Sequence, residues 1–173
     1  MDDIVVRQVH ESDLPALADL ARRTWSDAFG DSVSSEDEAV ELGSKRSEAF
    51  FAQTLRERTT LVADADGELV GYVQFGDVSI PEVDARPGDR ELHRVYVATE
   101  LQGRGIGRQL MDAALAHPRL AAAERVYLQV WETNERAIGL YESLGFETVG
   151  RTTFTIGANH VTEDLVMLLD RSG

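Results

Sequence analysis

The stretch from Val95 to Arg108, VYVATELQGRGIGR, holds the residue types best suited to cradle a ligand. Gly103, Gly105 and Gly107 stand at every second position, and Ile106, Leu110, Met111, Ala114 and Leu115 then follow at the spacing of one buried helix face. The loop therefore opens into a helix N-terminus, where unpaired backbone N–H groups and the positive end of the helix dipole face outward. Side chains without a Cβ let a phosphate approach those groups, so this is a candidate phosphate cradle; a tight turn or close helix packing gives the same glycine pattern. No Lys-Ser or Lys-Thr follows the last glycine, and the order GRGIGR is not G-x-G-x-x-G. A ligand other than a nucleoside triphosphate or a nicotinamide cofactor is expected.

Composition narrows the chemistry further. The chain has no cysteine and four scattered histidines, so no disulfide framework, catalytic thiol or metal site is expected. Its 173 residues, 43% of them hydrophobic, suit one well-buried domain spanning residues 1–173. The opening MDDIVVRQVH lacks a signal-peptide core, and no run approaches the roughly 18 apolar residues of a membrane span. A cytoplasmic protein is the expectation. A net charge of −14 argues against nucleic-acid and anionic-membrane partners and suits a cationic substrate, although acidity also serves solubility alone.

The elements that must position the loop can be read in order. Ile4, Val5, Val6 and Val9 form a β-like run, and Ser12 or Asp13 caps a helix carrying Leu14, Leu17, Leu20 and Ala21 that ends near Trp25, Phe29 and Gly30. The polar GDSVSSEDEAVE reads as a loop or a helix start, and Phe51 and Leu55 share one face of a second amphipathic helix. Aromatic residues from Trp25 to Phe51 are candidates to line a substrate site, with core packing the ordinary alternative. TTLVADADGELVGYVQFGDV reads as a hairpin around Asp66-Gly67, and a Pro- and Gly-containing loop precedes the strand ELHRVYV. After the glycine loop a helix runs to about His117 and stops at Pro118. Strand ERVYLQVWE, a helix capped by Thr133 or Asn134 and ended by Gly145, and two strands around Gly157-Ala158-Asn159 complete the chain. The order βααββ, βα, βα, ββ predicts an α/β (α+β) fold: a mixed sheet of about seven strands and four helices, with helices on both faces.

Two segments together resemble a known family. Gln102-Gly103-Arg104-Gly105-Ile106-Gly107 is similar to the Q/R-x-x-G-x-G/A core of the acyl-CoA signature of the Gcn5-related N-acetyltransferases (GNAT), and YLQVWETNERAIGLYESLGFETVGR resembles that family's second signature. Such a resemblance implies the acyl-CoA N-acyltransferase fold, with a splayed central strand pair, and acetyl-CoA as co-substrate with no metal. Val95, Tyr96 and Val97 would then border the pantetheine arm, the backbone of Val95 and Val97 bonding it as an added strand. Gln102 to Arg108 would hold the pyrophosphate, with Arg104 and Arg108 adding charge, and Asn134 would anchor the pantetheine or serve only as a helix cap.

Tyr141, seven residues after Asn134, takes the family's acid position, where a phenol protonated at neutral pH donates to the departing thiolate. Glu91, eleven residues before Gln102, resembles the base position of histone-acetylating members. Strand alternation predicts that Glu91, His93, Val95 and Val97 share one side, which leaves Glu91, His93 or a water as the base that frees the amine. The implied activity is acetyl transfer to a primary amine by direct attack in a ternary complex. The N-terminal half loosely resembles polyamine-acetylating bacterial members, so a polyamine or other small cationic amine is one reading. A protein or peptide N-terminal or lysine substrate, and a non-catalytic acyl-CoA sensor, are the alternatives; a homodimer through the last strands is compatible with the family.

Overall fold

A computed structural model describes residues 3–157 and 160–172. Seven strands form one sheet in the order β1-β2-β3-β4-β5-β7-β6. They are β1 (Ile4–Gln8), β2 (Thr59–Ala65), β3 (Glu68–Gly76), β4 (Arg90–Val97), β5 (Arg125–Trp131), β6 (Glu147–Ile156) and β7 (His160–Asp170). Among the described residues, β4 and β5 pair in parallel and all other neighbours are antiparallel. Asp66 at φ 52° and Gly67 at φ 93° make the tight β2–β3 turn that the Asp-Gly pair predicts. In the expected β6–β7 turn Gly157 takes φ 61°, while Ala158 and Asn159 lie outside the described residues.

Among the described residues, six α-helices accompany the sheet: α1 (Leu14–Phe29), α2 (Ser35–Ser44), α3 (Glu48–Glu57), α4 (Ile106–Ala116), the short α5 (Pro118–Ala121) and α6 (Glu135–Ser143). One core joins Leu17, Leu20 and Ala21 of α1 and Phe51 of α3 to Val62, Leu69 and Tyr72 on one face of the sheet. The other packs Leu110, Met111 and Ala114 of α4 and Tyr141 of α6 against Leu61, Val73, Phe75, Leu92 and Leu128. Full burial of each such side chain contributes about 1.5–3 kcal/mol. The two cores hold the sheet from both sides.

The segment after Gly30 forms a helix of its own, so β1 and β2 are separated by three helices and not two. Ser34 accepts the N–H of Asp37 at 3.1 Å, and Glu36, Asp37 and Glu38 occupy the positive first turn of α2. Capping and dipole complementarity thus stabilise a segment with little apolar periodicity. Pro118, expected only to stop α4, also opens α5.

A β-bulge overturns one expectation about β4. Gln74 pairs with Arg94 and Phe75 with Leu92, so His93 is the extra residue and the alternation of faces reverses there. Val95 and Val97 join Leu92 on the α4 face, whereas Tyr96 packs with Tyr72 on the α1–α3 face. Glu91 shares the side of Arg94 and Tyr96, opposite Val95 and Val97. The bulge falls where the sheet opens, because β4 and β5 pair only at Arg90–Val126, Glu91–Tyr127 and Leu92–Leu128. Gly71 lets α4 approach the far end of β4: a Cβ there would lie 3.0 Å from both the Tyr96 carbonyl oxygen and Leu110 Cδ1. Gly71→Ala is expected to cost about 1–3 kcal/mol through overpacking. A urea unfolding midpoint equal to that of the parent chain would refute the tight contact.

Candidate active site

Beyond Leu92 and Leu128 the two central strands part, and a cleft of about 950 Å³ runs through the gap. Val95, Tyr96 and Val97 line it from β4, and Gln129, Val130 and Trp131 from β5. Backbone groups of β4 on that edge lack a strand partner, which makes the edge a template for an extended ligand. The Val97 carbonyl accepts a long bond from Gln102 Nε2 at 3.4 Å. Gln102 therefore folds back over the strand end.

The glycine loop closes one end of the gap. Gly103 and Gly105 hold φ of +84° and +83°, in the left-handed region, and Gly105 is the residue that starts α4. Among the described residues, Gln109 N–H is the first at this helix end to bond a backbone carbonyl, that of Gly105 at 3.0 Å. The amides of Gly103 to Arg108 precede that ladder and are available to an anion. Gly107 lies where α4 meets α6, since its Cβ would sit 3.5 Å from Leu140 Cδ2. Gln102, Gly103, Gly105, Ile106, Gly107 and Arg108 line the cleft, whereas Arg104 is exposed outside its lining. Arg136 of α6 does line it, and sequence reasoning missed this cation because it lies in the helix after Asn134 and not in the loop.

Asn134 is the cap of α6, its Oδ1 accepting the Ala137 N–H at 3.3 Å, and it also lines the cleft. Tyr141, two turns further, is buried and lies against Phe146 at 6.0 Å between ring centroids. Burial first, and the nearby Tyr96 second, raise its pKa above the usual phenol value. Among the described residues its hydroxyl has no hydrogen-bond partner, and the residue faces the cleft. A neutral phenol with its proton free is what the geometry leaves there.

Glu91 also lines the cleft and is 5% exposed. Its Oε1 accepts the Ser79 N–H at 2.7 Å and the Ser79 hydroxyl at 3.1 Å, and its Oε2 lies 2.9 Å from His93 Nδ1. Burial pushes its pKa up, but the His93 hydrogen bond and charge and the two Ser79 donors outweigh it and hold the carboxyl below its ordinary value. His93 Nε2 meets the Asp77 carbonyl at 3.0 Å. Both imidazole nitrogens are thus engaged, while Glu91 Oε2 retains a lone pair.

The walls on the α1–α3 side are built from residues far apart in sequence. Trp25, Phe29 and Trp131 form a tilted aromatic series with centroid spacings of 5.5 and 5.2 Å, bridging α1 to β5. Of the Phe50–Phe51 pair, Phe50 lines the cleft and Phe51 is core. Asp164 of β7, unforeseen in the sequence, is buried in the wall with Gln129 and Thr162 as donors at 2.8 and 3.0 Å.

A central sheet parted over a glycine cradle at a helix N-terminus defines an acyl-coenzyme A-dependent transferase. The model of the acetyltransferase (GNAT) family matches residues 14–146, and the chain belongs to that family. It is an acetyl-CoA-dependent N-acetyltransferase, with acetyl-CoA as co-substrate. An N-acetyltransferase from the pepI 3′ region of Lactobacillus delbrueckii subsp. lactis is 31% identical over 170 residues, covering 96% of this chain and 97% of that protein. The spermine/spermidine N(1)-acetyltransferase of Bacillus subtilis is 32% identical over 90 residues, 51% of this chain and 59% of that protein. The PaiA N-acetyltransferase of Thermoplasma acidophilum in complex with coenzyme A shares the fold, with a TM-score of 0.77, 21% identity and coverage of 97% and 99% of the two chains. No described helix is long and apolar enough to cross a membrane, and no described cluster of His, Asp and Glu could hold a metal.

Gly105→Ala adds a Cβ that meets no atom within 4 Å, so strain at positive φ is its main effect. It is expected to cost about 1–2 kcal/mol of stability and to weaken coenzyme A binding in calorimetric titration. Unchanged affinity would show that the loop is not the phosphate cradle.

Proposed function

We propose that residues 1–173 act as one acetyltransferase domain that moves the acetyl group of acetyl-CoA to the primary amine of a small molecule by direct attack in a ternary complex. The observation that carries this reading is the free Tyr141 hydroxyl facing the gap between the parted strands. A protein that only sensed the cofactor has no need of a buried, protonated donor there. The absence of cysteine fits direct transfer, since no thiol can carry the acetyl group.

Acetyl-CoA supplies a thioester carbonyl and a thiolate leaving group. The edge of β4 at Val95 and Val97 binds the arm that bears it, the amides of Gly103 to Arg108 hold the pyrophosphate, and the Asn134 amide, beyond its capping bond, supports the pantetheine. Tyr141 donates a hydrogen bond to the sulfur as negative charge develops there, and its raised pKa keeps that proton in place at neutral pH. Glu91 is the acceptor for the amine's proton, reached through a water, and His93 and Ser79 fix its orientation. Starting from the ammonium, the first proton passes through the water to Glu91 and on to solvent, and the second, lost from nitrogen after attack, balances the one gained by the departing thiolate.

A small amine suits the cleft of about 950 Å³, in which Phe29 and Trp131 are in ring contact at 5.2 Å. The net charge of −14 and the spermine-acetylating relative speak for a polyamine. Local charge in the cleft speaks against it. Arg46, Arg58 and Arg94 line the wall where a polycation would bind.

Free-thiol release from acetyl-CoA over a panel of amines tests the activity. Tyr141→Phe removes a hydroxyl with no internal partner, so folding is expected to hold while kcat falls about 10²-fold or more. A depressed carboxyl is ionised above its pKa and is lost as a base only as pH falls through the acid range. Glu91 therefore remains a base throughout neutral pH, and an acid limb in kcat/KM near neutrality belongs to the substrate ammonium. Glu91→Gln is expected to lower kcat/KM by about 10²-fold at neutral pH, the deficit shrinking as pH rises toward the amine's own pKa. A deficit independent of pH would remove Glu91 from the base role.

A further inference from the structure

Three guanidinium groups meet at the acceptor end of the cleft. Arg46 follows α2, Arg58 follows α3 and Arg94 lies on β4 just after the bulge; all three line the cleft. Each offers five donors and needs acceptors for them. Among the described residues, Arg46 is 3% exposed, gives a hydrogen bond to the Lys45 carbonyl at 3.1 Å and lies 3.6 Å from Glu41, and its buried Nε has no partner. Arg94 donates to the same Lys45 carbonyl at 2.9 Å. Arg58 makes a long bond to Gln74 at 3.5 Å. Arg94 also interacts with the Tyr72 hydroxyl, which leaves Arg46 Nε as the buried donor of the cluster without a partner among the described residues.

Aromatic faces hold the cluster in place. Arg94 lies 4.5 Å and Arg58 5.9 Å from the Phe50 ring centroid, and Arg46 lies 5.7 Å from that of Tyr96. Stacking engages the flat of a guanidinium and leaves its N–H edge free, the geometry that receives an oxyanion by parallel bonds. Charge is unbalanced as well. Glu41 faces Arg46 and is shared with Lys45 at 3.5 Å, while Glu91, hydrogen-bonded to His93 and Ser79, and Glu57 act on Arg58 through their charge without a hydrogen bond to it. Burial, and next the charge of Arg46, depress Arg94 to about 10. A bound anion would relieve the mutual repulsion and accept from the outward N–H edges of the cluster.

We infer that Arg46, Arg58 and Arg94 form a carboxylate-binding subsite, so that the acetylated compound is a small primary amine bearing a carboxylate, an amino acid in chemical class, and not a polycation. The inference rests on the acetyltransferase reading and names the substrate class of the same cleft. Arg94 and Glu91 share one face of β4, so a ligand whose carboxylate meets the arginines presents a neighbouring amine toward the base. An amino acid carries an ammonium and a carboxylate and no net charge at neutral pH, so the acidic surface neither draws nor repels it at long range. Selection therefore occurs at contact distance, where the arginines outweigh the net charge.

The test uses the full chain with coenzyme A present for binding and acetyl-CoA for turnover. The probes are the common L-amino acids, β-alanine and γ-aminobutyrate, then the amide and decarboxylated amine of the tightest binder, and spermidine. Carboxylate-bearing amines are expected to bind and to turn over, with kcat/KM about 100-fold above that of their amide and decarboxylated counterparts, because removing one member of a buried charge pair strands the other. Arg94→Gln and Arg58→Gln are expected to raise KM for the carboxylate compound at least about tenfold and to lower KM for its decarboxylated counterpart, because each removes a cation that faces its ammonium. These two are less buried than Arg46, whose loss also strands Glu41. Equal or better turnover of spermidine or the decarboxylated amine would overturn the subsite and leave the transferase standing. Arginine-dependent binding of a carboxylate with no thiol release on any amine would keep the subsite and sink the transferase. Failure of every carboxylate to bind would overturn the subsite outright.

Discussion

The structure depends on the interruption of one hydrogen-bond ladder. Parallel strands β4 and β5 pair over three residues and then separate, although each continues for several residues more. Leaving strand edges unpaired inside a sheet is costly unless something else meets those groups. The fold tolerates the gap because each strand is secured on its outer side, β4 by β3 and β5 by β7, and because α4 and α6 pack beneath the opening. The His93 bulge marks the point of parting, bending β4 and turning Glu91 to the side of Arg94. The opening of the cleft and the placing of Glu91 beside Arg94 thus go with one irregularity in one strand.

Electrostatics divide the molecule at two scales. Its surface is acidic enough to give a net charge of −14, yet the cleft is lined with arginines: Arg108 and Arg136 near the glycine loop, Arg46, Arg58 and Arg94 at the other end. A Debye length of about 8 Å at physiological ionic strength separates the two regimes. Net charge governs solubility and approach; the residues within contact distance govern what binds. Total charge suits a polycation, whereas the arginines of the cleft suit an anionic group, so the two scales point to different ligands.

Much of the fold was legible because it is written in local signals. The Asp66-Gly67 hairpin, the alternate glycines before α4, the Asn134 cap and the period-two strands each depend on neighbours in sequence. The helix α2 was legible only in part: Ser34 three residues ahead of Asp37 is a capping signal, but its polar face offered no apolar stripe. The bulge at His93 left no trace, since HRVYV reads as uninterrupted alternation, and so the facing of Glu91 was misread.

The sequence by itself determined most element types and their order, the glycine loop ahead of α4 and the identity of Tyr141 and Glu91 as residues worth testing, because dihedral preference, capping and periodicity act over a few residues. Only the tertiary structure decided which side of β4 Glu91 occupies, that His93 is spent on holding it, and that Arg46, Arg58 and Arg94 converge. Those facts arise from strand register and from packing between α3 and the sheet, which join segments far apart in the chain. No local pattern encodes the distance between Arg46 and Arg94; the burial of Phe51 against Tyr72, with rings 5.7 Å apart, helps to set it.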